Sequence, residues 1–508
     1  MTHRQILLVL SGLMLGLFLA ALDQTIVATA LPTIAGEFGG LEQLSWVVTA
    51  YLLTSTASAP LYGKVSDMYG RKIVFQFAIV TFLVGSVLAG MSQSMIQLIG
   101  FRAIQGLGAG GLIVMAMTIV GDVLSPRERG RYQGYIGSVF ALASVAGPLL
   151  GGFFVDNFSW RWVFYINLPI GLAALFVTAT VLDLPFRRVD RPVDYLGAGL
   201  LVGGVTSLLL VTVWGGSQYE WDSPVIIGLS VLSVVLLVLF LFQERRVEEP
   251  ILPLRLFRDR TFAITSSASF IVGLGMFGAI VFLPLFLQVV MGASATNSGL
   301  LLVPLMGGVV TSSIVSGRLI TRTGRYKIYP LTGTTLMAVG LWLLSTMGPD
   351  TTILEASVFM AIFGTGMGLV LQVLVIAVQN AVDARDLGVA TSSATFFRSL
   401  GGSFGTAFLG AVLTSQLTLH LADLLPAGSD GQLGELTGSP ELIAQLPPAV
   451  RETVITAFSE SITTVFAVAI PFVLVALILV IFLPELPLRD TAHVGAGEPE
   501  APIAPVGH

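Results

Sequence analysis

The sequence predicts an all-α protein that crosses a membrane many times, and three observations carry the prediction. The 508 residues are 54% hydrophobic, with a mean hydropathy of +0.88. Only 11% are charged, against roughly 25% in a soluble domain. The apolar residues come in long runs separated by short charged loops. A bilayer imposes that pattern, because in hydrocarbon the backbone must satisfy its own hydrogen bonds.

A spanning helix needs about 20 apolar residues. Fourteen runs qualify: 6–30, 45–62, 73–91, 97–120, 132–154, 162–182, 195–214, 224–243, 262–290, 298–317, 328–347, 353–378, 388–415 and 461–483. The first, MTHRQILLVLSGLMLGLFLAALD, begins like a signal peptide, with one arginine before an apolar run. Its pattern continues through TIVATALP and many spans follow, so an uncleaved first helix is expected. Lysine and arginine set the orientation. With the N-terminus inside, 21 of the 25 are cytoplasmic; Arg102 and Arg398 fall within spans, and Arg161 and Arg451 lie outside. The reverse orientation breaks the positive-inside rule, so both termini are expected in the cytoplasm. The longest external loop, 416–460, is acidic, and a surface helix over 440–458 is one reading of it. The tail 485–508 is rich in Pro, Gly and Ala and is expected to be disordered.

The chain also repeats itself. GKVSDMYGRK (63–72) returns as GRLITRTGRYK (317–327), IQGLGAG (104–110) as IFGTGMG (362–368), RERG (127–130) as RDLG (385–388), and GPLLG (147–151) as GGSFG (401–405). Matched glycines lie 254 to 258 residues apart, in the same order, which indicates a duplicated six-helix unit. The expected arrangement is 6+2+6. A first bundle covers 1–182, two extra helices with their linkers 183–261, and a second bundle 262–484. Six helices per unit put the halves in parallel orientation around a central cavity.

Charge inside a span is expensive and marks function by default. Asp23 lies in the first span and Arg102 in the fourth. At about 1.5 Å per residue they sit roughly 12 and 9 Å below the outer ends of their helices. An Asp23–Arg102 pair is therefore geometrically open. Hydrocarbon favours the neutral acid and an arginine favours the carboxylate, so a change in their separation can move a proton. Arg398 is also intramembrane, with no partner evident from sequence. Gln372 and Gln379 lie seven apart on one helical face. Gln372, Arg398, Met115 and Met276 are candidates for a cavity wall, Met because it is adaptable. Gly147-Pro148 interrupts the fifth span, and Gly151 and Gly152 permit close helix approach.

Several classes fall away. There are no cysteines, the four histidines form no HExxH, and no GxxxxGK[ST] is present. No catalytic constellation and no metal site is expected, and the protein does not read as an enzyme. No cofactor and no nucleic-acid partner are implied, and the energy must come from a gradient, such as that of protons, or from the substrate itself.

The motifs resemble the major facilitator superfamily, in particular its fourteen-helix drug:proton antiporters, which include bacterial exporters of quaternary ammonium compounds. GKVSDMYGRK is similar to the loop 2–3 signature of that superfamily. LIGFRAIQGLGAGG (98–111) is similar to the arginine-bearing helix-4 signature, and SVAGPLLGG (144–152) to the helix-5 antiporter signature. LDQTIVATALP (22–32) and SWRWVFYINLPIG (159–171) resemble segments of the fourteen-helix branch. The resemblance implies the major facilitator fold in a bacterial plasma (inner) membrane. It implies export of lipophilic, cationic drugs in exchange for protons, among membrane lipids, with Arg102 in proton coupling. By the same resemblance Gly63, Asp67, Gly70, Arg71 and Lys72 form a cytoplasmic gate loop. Asp67 is expected to cap a neighbouring helix or to pair with Arg127, Arg129 or Arg131. The second copy has Thr321 where the first has Asp67. Export of a dedicated lipid or metabolite, and a non-transporting receptor or structural role, are the alternatives.

Overall fold

The computed structural model of the protein describes residues 3–38, 44–182, 194–216, 218–293, 295–421 and 447–489. Residues 183–193 of the linker, 422–446 of the long acidic loop and 490–508 of the tail lie outside the described residues.

Long helices account for nearly all of the described chain. They are α1 (His3–Phe38), α2 (Leu44–Tyr69), α3 (Arg71–Gly90), α4 (Met95–Val123), α5 (Pro126–Asn157), α6 (Trp162–Val181), α7 (Tyr195–Trp214) and α8 (Pro224–Glu244), followed by α9 (Arg260–Val289), α10 (Asn297–Thr323), α11 (Ile328–Ser345), α12 (Ile353–Ala381), α13 (Leu387–Leu421) and α14 (Pro448–Ile481). No strand occurs among the described residues. Thirteen of these helices are long and apolar enough to cross a membrane; α2, with its Ser and Thr residues and Lys64 and Asp67, is less apolar than that. The protein is a multi-pass membrane protein.

Local chemistry sets the helix starts. Ser125 and Thr352 each open a helix with a reciprocal capping box, to Glu128 and Glu355. Pro126, Pro224 and Pro448 occupy first-turn positions, where no backbone donor is lost. The backbone turns at Ile166 within α6 and at Leu302 within α10. Residues 448–458, part of the stretch read from sequence as a surface helix, are instead continuous with the last spanning helix. Pro448 starts that helix and nothing interrupts its backbone ladder at the membrane edge.

Three apolar clusters hold the bundle. One is built from Val9 to Leu182 on α1–α6, and another from Ala268 to Val480 on α9–α14. A third joins Leu53 and Ala57 of α2, Leu201 and Val205 of α7, Phe240 of α8 and Ala390 and Ala394 of α13. Within it α7 and α8 pack on each other, where Ser233 donates to the Gly204 carbonyl at 2.9 Å. Trp46 of α2 meets Trp214 of α7 edge-on at 5.0 Å.

Candidate functional site: a buried ion pair and a closed end

Asp23 and Arg102 meet. Asp23 is 0% and Arg102 1% exposed, and Arg102 Nη1 donates to Asp23 Oδ2. The other carboxylate oxygen accepts from Gln105 Nε2 at 2.8 Å and from Asn167 Nδ2 at 3.0 Å. Arg102 also donates to Gln105 Oε1 at 2.7 Å and to the Val47 carbonyl at 3.3 Å, and its guanidinium lies 4.2 Å from the Tyr51 ring centroid. Charge-assisted bonds of this kind are roughly twice as strong as neutral ones. Five helices converge on the group: α1 gives Asp23, α2 Val47 and Tyr51, α4 Arg102 and Gln105, α6 Asn167, and α3 Ser86, which accepts from Asn167 Nδ2 at 2.9 Å. Asn167 Oδ1 is buried with no hydrogen-bond partner.

The sequence reading missed Gln105 and Asn167. Both are neutral amides and carry no warning of a charge in hydrocarbon. Gln105 is three residues from Arg102, hence on the same helix face, and that spacing was the available signal.

The interrupted helix α5 packs on α1 beside this group. A Cβ at Gly147 meets Thr25 Oγ1 at 2.0 Å, and one at Gly151 meets Thr29 Oγ1 at 2.0 Å and the Ile26 carbonyl at 2.8 Å. Thr25 donates across the contact to the Ala143 carbonyl at 3.0 Å. Pro148 lies inside α5 and leaves the ladder one donor short. Gly152, expected in the same role, faces open space and holds nothing close. In the last turn of α1, Glu37 accepts from Trp160 Nε1 at 2.6 Å and from Arg161 at 2.9 Å, so the SWRW segment is tied to α1. The Trp160 bond holds the Glu37 carboxyl below its ordinary value, opposed by burial and helped by Arg161.

At the end of the bundle that carries the α2–α3 turn, the helices 3–182 and 260–489 are closed upon each other. Gly70 turns the chain at φ 94°, and Gly324, its counterpart in the second copy, does so at φ 71°. Asp67 pairs with Arg71 at 2.5 Å and accepts from the Val389 amide at the start of α13 at 3.2 Å. Arg71 also holds Asp122 at 2.7 Å. Two of the arginines expected to pair with Asp67 do other work, and the side chain of the third, Arg131, lies outside the described residues. Arg127 donates to the Thr321 carbonyl at 2.9 Å, and Thr321 returns a bond to the Arg127 carbonyl at 2.9 Å. Arg129 donates to Gln379 Oε1 at 2.7 Å and to the Leu124 carbonyl at 3.0 Å. Gln379 in turn donates to the Met117 carbonyl at 3.2 Å and to Thr391 at 2.9 Å. Each copy of the repeated loop therefore docks on the opposite half, one at the start of α13 and the other at the start of α5. Gly388 is the wedge point, since a Cβ there lies 2.5 Å from Asp67 Oδ1 and 2.7 Å from both Arg71 Nη1 and the Gly63 carbonyl. Burial pushes the Asp67 carboxyl up to about 6, opposed by Arg71. Lys72 donates to the Ala179 carbonyl at 2.8 Å on the surface, and Lys64 pairs with Glu249 at 2.6 Å.

The remaining candidates divide. Gln372 and Arg398 are half-buried. Met115 and Met276 are not on a wall; they are packed at 0% and 5% exposure within the two large apolar clusters, where an unbranched side chain fills space between helices. Among the described residues no group of His, Asp and Glu is placed to hold a metal.

A bundle of membrane-crossing helices, with an ion pair sealed in one half and the two halves meeting at a closed end, has the build of a secondary transporter. The family model of the Major Facilitator Superfamily matches residues 13–195 and 195–406, and the chain belongs to that family. It is a transporter and not an enzyme. The chain is 40% identical to the Multidrug transporter protein MdtP of Bacillus subtilis (strain 168), over 95% of this chain and 94% of that one. It is 38% identical to Multidrug resistance protein 3 of the same organism, over 96% of each. Among solved structures, the human organic anion transporter MFSD10 (TETRAN) shares the fold, with a TM-score of 0.64 at 16% identity, over 93% of this chain and 99% of that one.

Proposed function

We propose that the protein exports lipophilic drugs from a bacterial cell in exchange for protons, by alternating access between two six-helix halves with α7 and α8 set between them. In this reading it lies in the plasma membrane with both termini and the α2–α3 turn in the cytoplasm. The observation that carries it is the sealed Asp23 carboxylate. As a carboxylate it accepts from Arg102, Gln105 and Asn167. A proton arriving from outside breaks the bond to Arg102, which keeps Gln105 Oε1 and the Val47 carbonyl as acceptors. Parting a buried ion pair costs about 3–5 kcal/mol, enough to bias a two-state transporter. The tight α1–α5 contact at Gly147 and Gly151 passes that change to α5, whose first turn holds the closed end through Arg127 and Arg129. The relatives named as multidrug transporters support the substrate class.

The test uses everted vesicles with a preset pH gradient. Substrate is expected to dissipate the gradient with the native protein and not with Asp23→Asn. Full substrate-driven proton exchange in Asp23→Asn removes Asp23 from the mechanism.

A further inference from the structure

Three charged side chains lie deep within the spans: Asp23, Arg102 and Arg398. The first two neutralise each other. Arg398 makes no hydrogen bond or ion pair among the described residues, yet it is only half-buried and so still reachable. An arginine cannot shed its proton, and an unpaired charge at this depth is costly unless something meets it. The spans therefore carry one positive charge with no partner among the described residues.

The helix geometry says where that charge points. Thr391 bonds Gln379, and Gln379 reaches the Met117 carbonyl of α4 across the junction of the halves. Arg398 is seven residues beyond Thr391 on α13, and Gln372 seven residues before Gln379 on α12. Seven residues are nearly two turns, so each keeps the face of its reference residue. Each stands about 10 Å further from the closed end. Arg398 and Gln372 thus share one level on neighbouring helices, on the faces that carry Thr391 and Gln379. The platform is rigid: Gly401 and Gly405 set α13 against the Phe270 and Leu274 carbonyls of α9, and Gly273 of α9 admits the Arg398 carbonyl.

We propose that Arg398 is the recognition point for an acidic group on the substrate, so that the protein takes lipophilic carboxylates or sulfonates in preference to lipophilic cations. Guanidinium and carboxylate match as a two-pronged pair, and Gln372 adds an amide at the same level. The aromatic body of such a substrate finds Phe277 beside α13, against Gly402. This replaces the cationic class implied by the motif resemblance, because the acid that would receive a cation, Asp23, is already occupied. The inference rests on the chain being an exporter with its path between the halves.

The experiment is calorimetric titration of the full chain in lipid nanodiscs with two probes of one skeleton, 2-naphthoate and 2-naphthyltrimethylammonium. Naphthoate is expected to bind the native protein at least tenfold more tightly than the ammonium ion. Arg398→Ala is expected to weaken naphthoate at least tenfold and to leave the ammonium ion within twofold. Arg398→Lys, which keeps the charge without the fork, is expected to fall between and serves if the alanine variant does not fold. Tighter binding of the ammonium ion by the native protein, or naphthoate binding unmoved by either substitution, overturns the proposal. Arg398-dependent naphthoate binding with no proton flux in the vesicle assay leaves the acid site standing and sinks the exporter reading.

Discussion

Replacing Gly388 by alanine is expected to open the closed end of the bundle. The new methyl lies 2.5 Å from Asp67 Oδ1 and 2.7 Å from Arg71 Nη1 and from the Gly63 carbonyl. Side-chain atoms can retreat, but the carbonyl belongs to a helix held by the third apolar cluster through Leu53 and Ala57. Overpacking of a fitted contact costs about 1–3 kcal/mol. Paid only in the closed arrangement, that is a shift of about 5- to 150-fold toward the open one. The natural chain has no cysteine, so spin labels at Ile73→Cys and Arg325→Cys report the separation without background. Electron–electron resonance is expected to show a longer-distance population in Gly388→Ala. Gly307→Ala, at a glycine with nothing within 4 Å, is the control and should leave the distribution in place. An unchanged distribution in Gly388→Ala refutes the reasoning, because the closed end then does not depend on this contact.

Three further outcomes are expected. The Asp67 carboxyl is raised by burial from 3.8 to about 6 in the closed arrangement. Closing therefore takes up a proton between those values, and the closed population should rise as pH falls from 7 to 5, an effect absent in Asp67→Asn by the same spin-label readout. On α5, Gly151→Ala should lose about 1–3 kcal/mol of stability through Thr29 and Ile26. Gly152→Ala, into open space, should lose none, and thermal melts of the two variants decide it. At the ion pair, Asn167→Leu combined with Asp23→Asn in a double-mutant cycle should give a coupling of about 1.5–3 kcal/mol, the range for a hydrogen bond to a charge. A cycle that sums to zero means that Asn167 does not hold the carboxylate.

The Asp23–Arg102 contact was legible because charge in hydrocarbon stands out and depth follows from counting residues. The repeated loop was legible for a similar reason: a cluster of charge and glycine in an apolar chain repeats visibly. Its partners were legible in part. Asp67 does cap a neighbouring helix, accepting from the Val389 amide in the first turn of α13, but its ion pair is with Arg71 one turn away and not with Arg127 or Arg129. Neighbouring arginines look interchangeable in sequence until a helix fixes which way Arg127 and Arg129 point. The methionines failed for a related reason. Met115 and Met276 have the same composition signal whether a helix face meets a cavity or another helix, and only packing separates the two. Residues 448–458 were misread because apolarity marks the bilayer, while the helix runs on as long as its backbone bonds do.

The two copies of the loop close the same end by unlike means. The first depends on a titratable carboxylate set among Arg71, Asp122 and the Val389 amide. The second depends on Thr321, which cannot titrate and which exchanges bonds with the main chain and side chain of Arg127. One edge is thus a bolt that acid and salt can work, and the other is a hinge pin indifferent to acid. Acidity therefore acts on the closed end along α2 and α13, through Asp67, and leaves the Thr321 edge untouched.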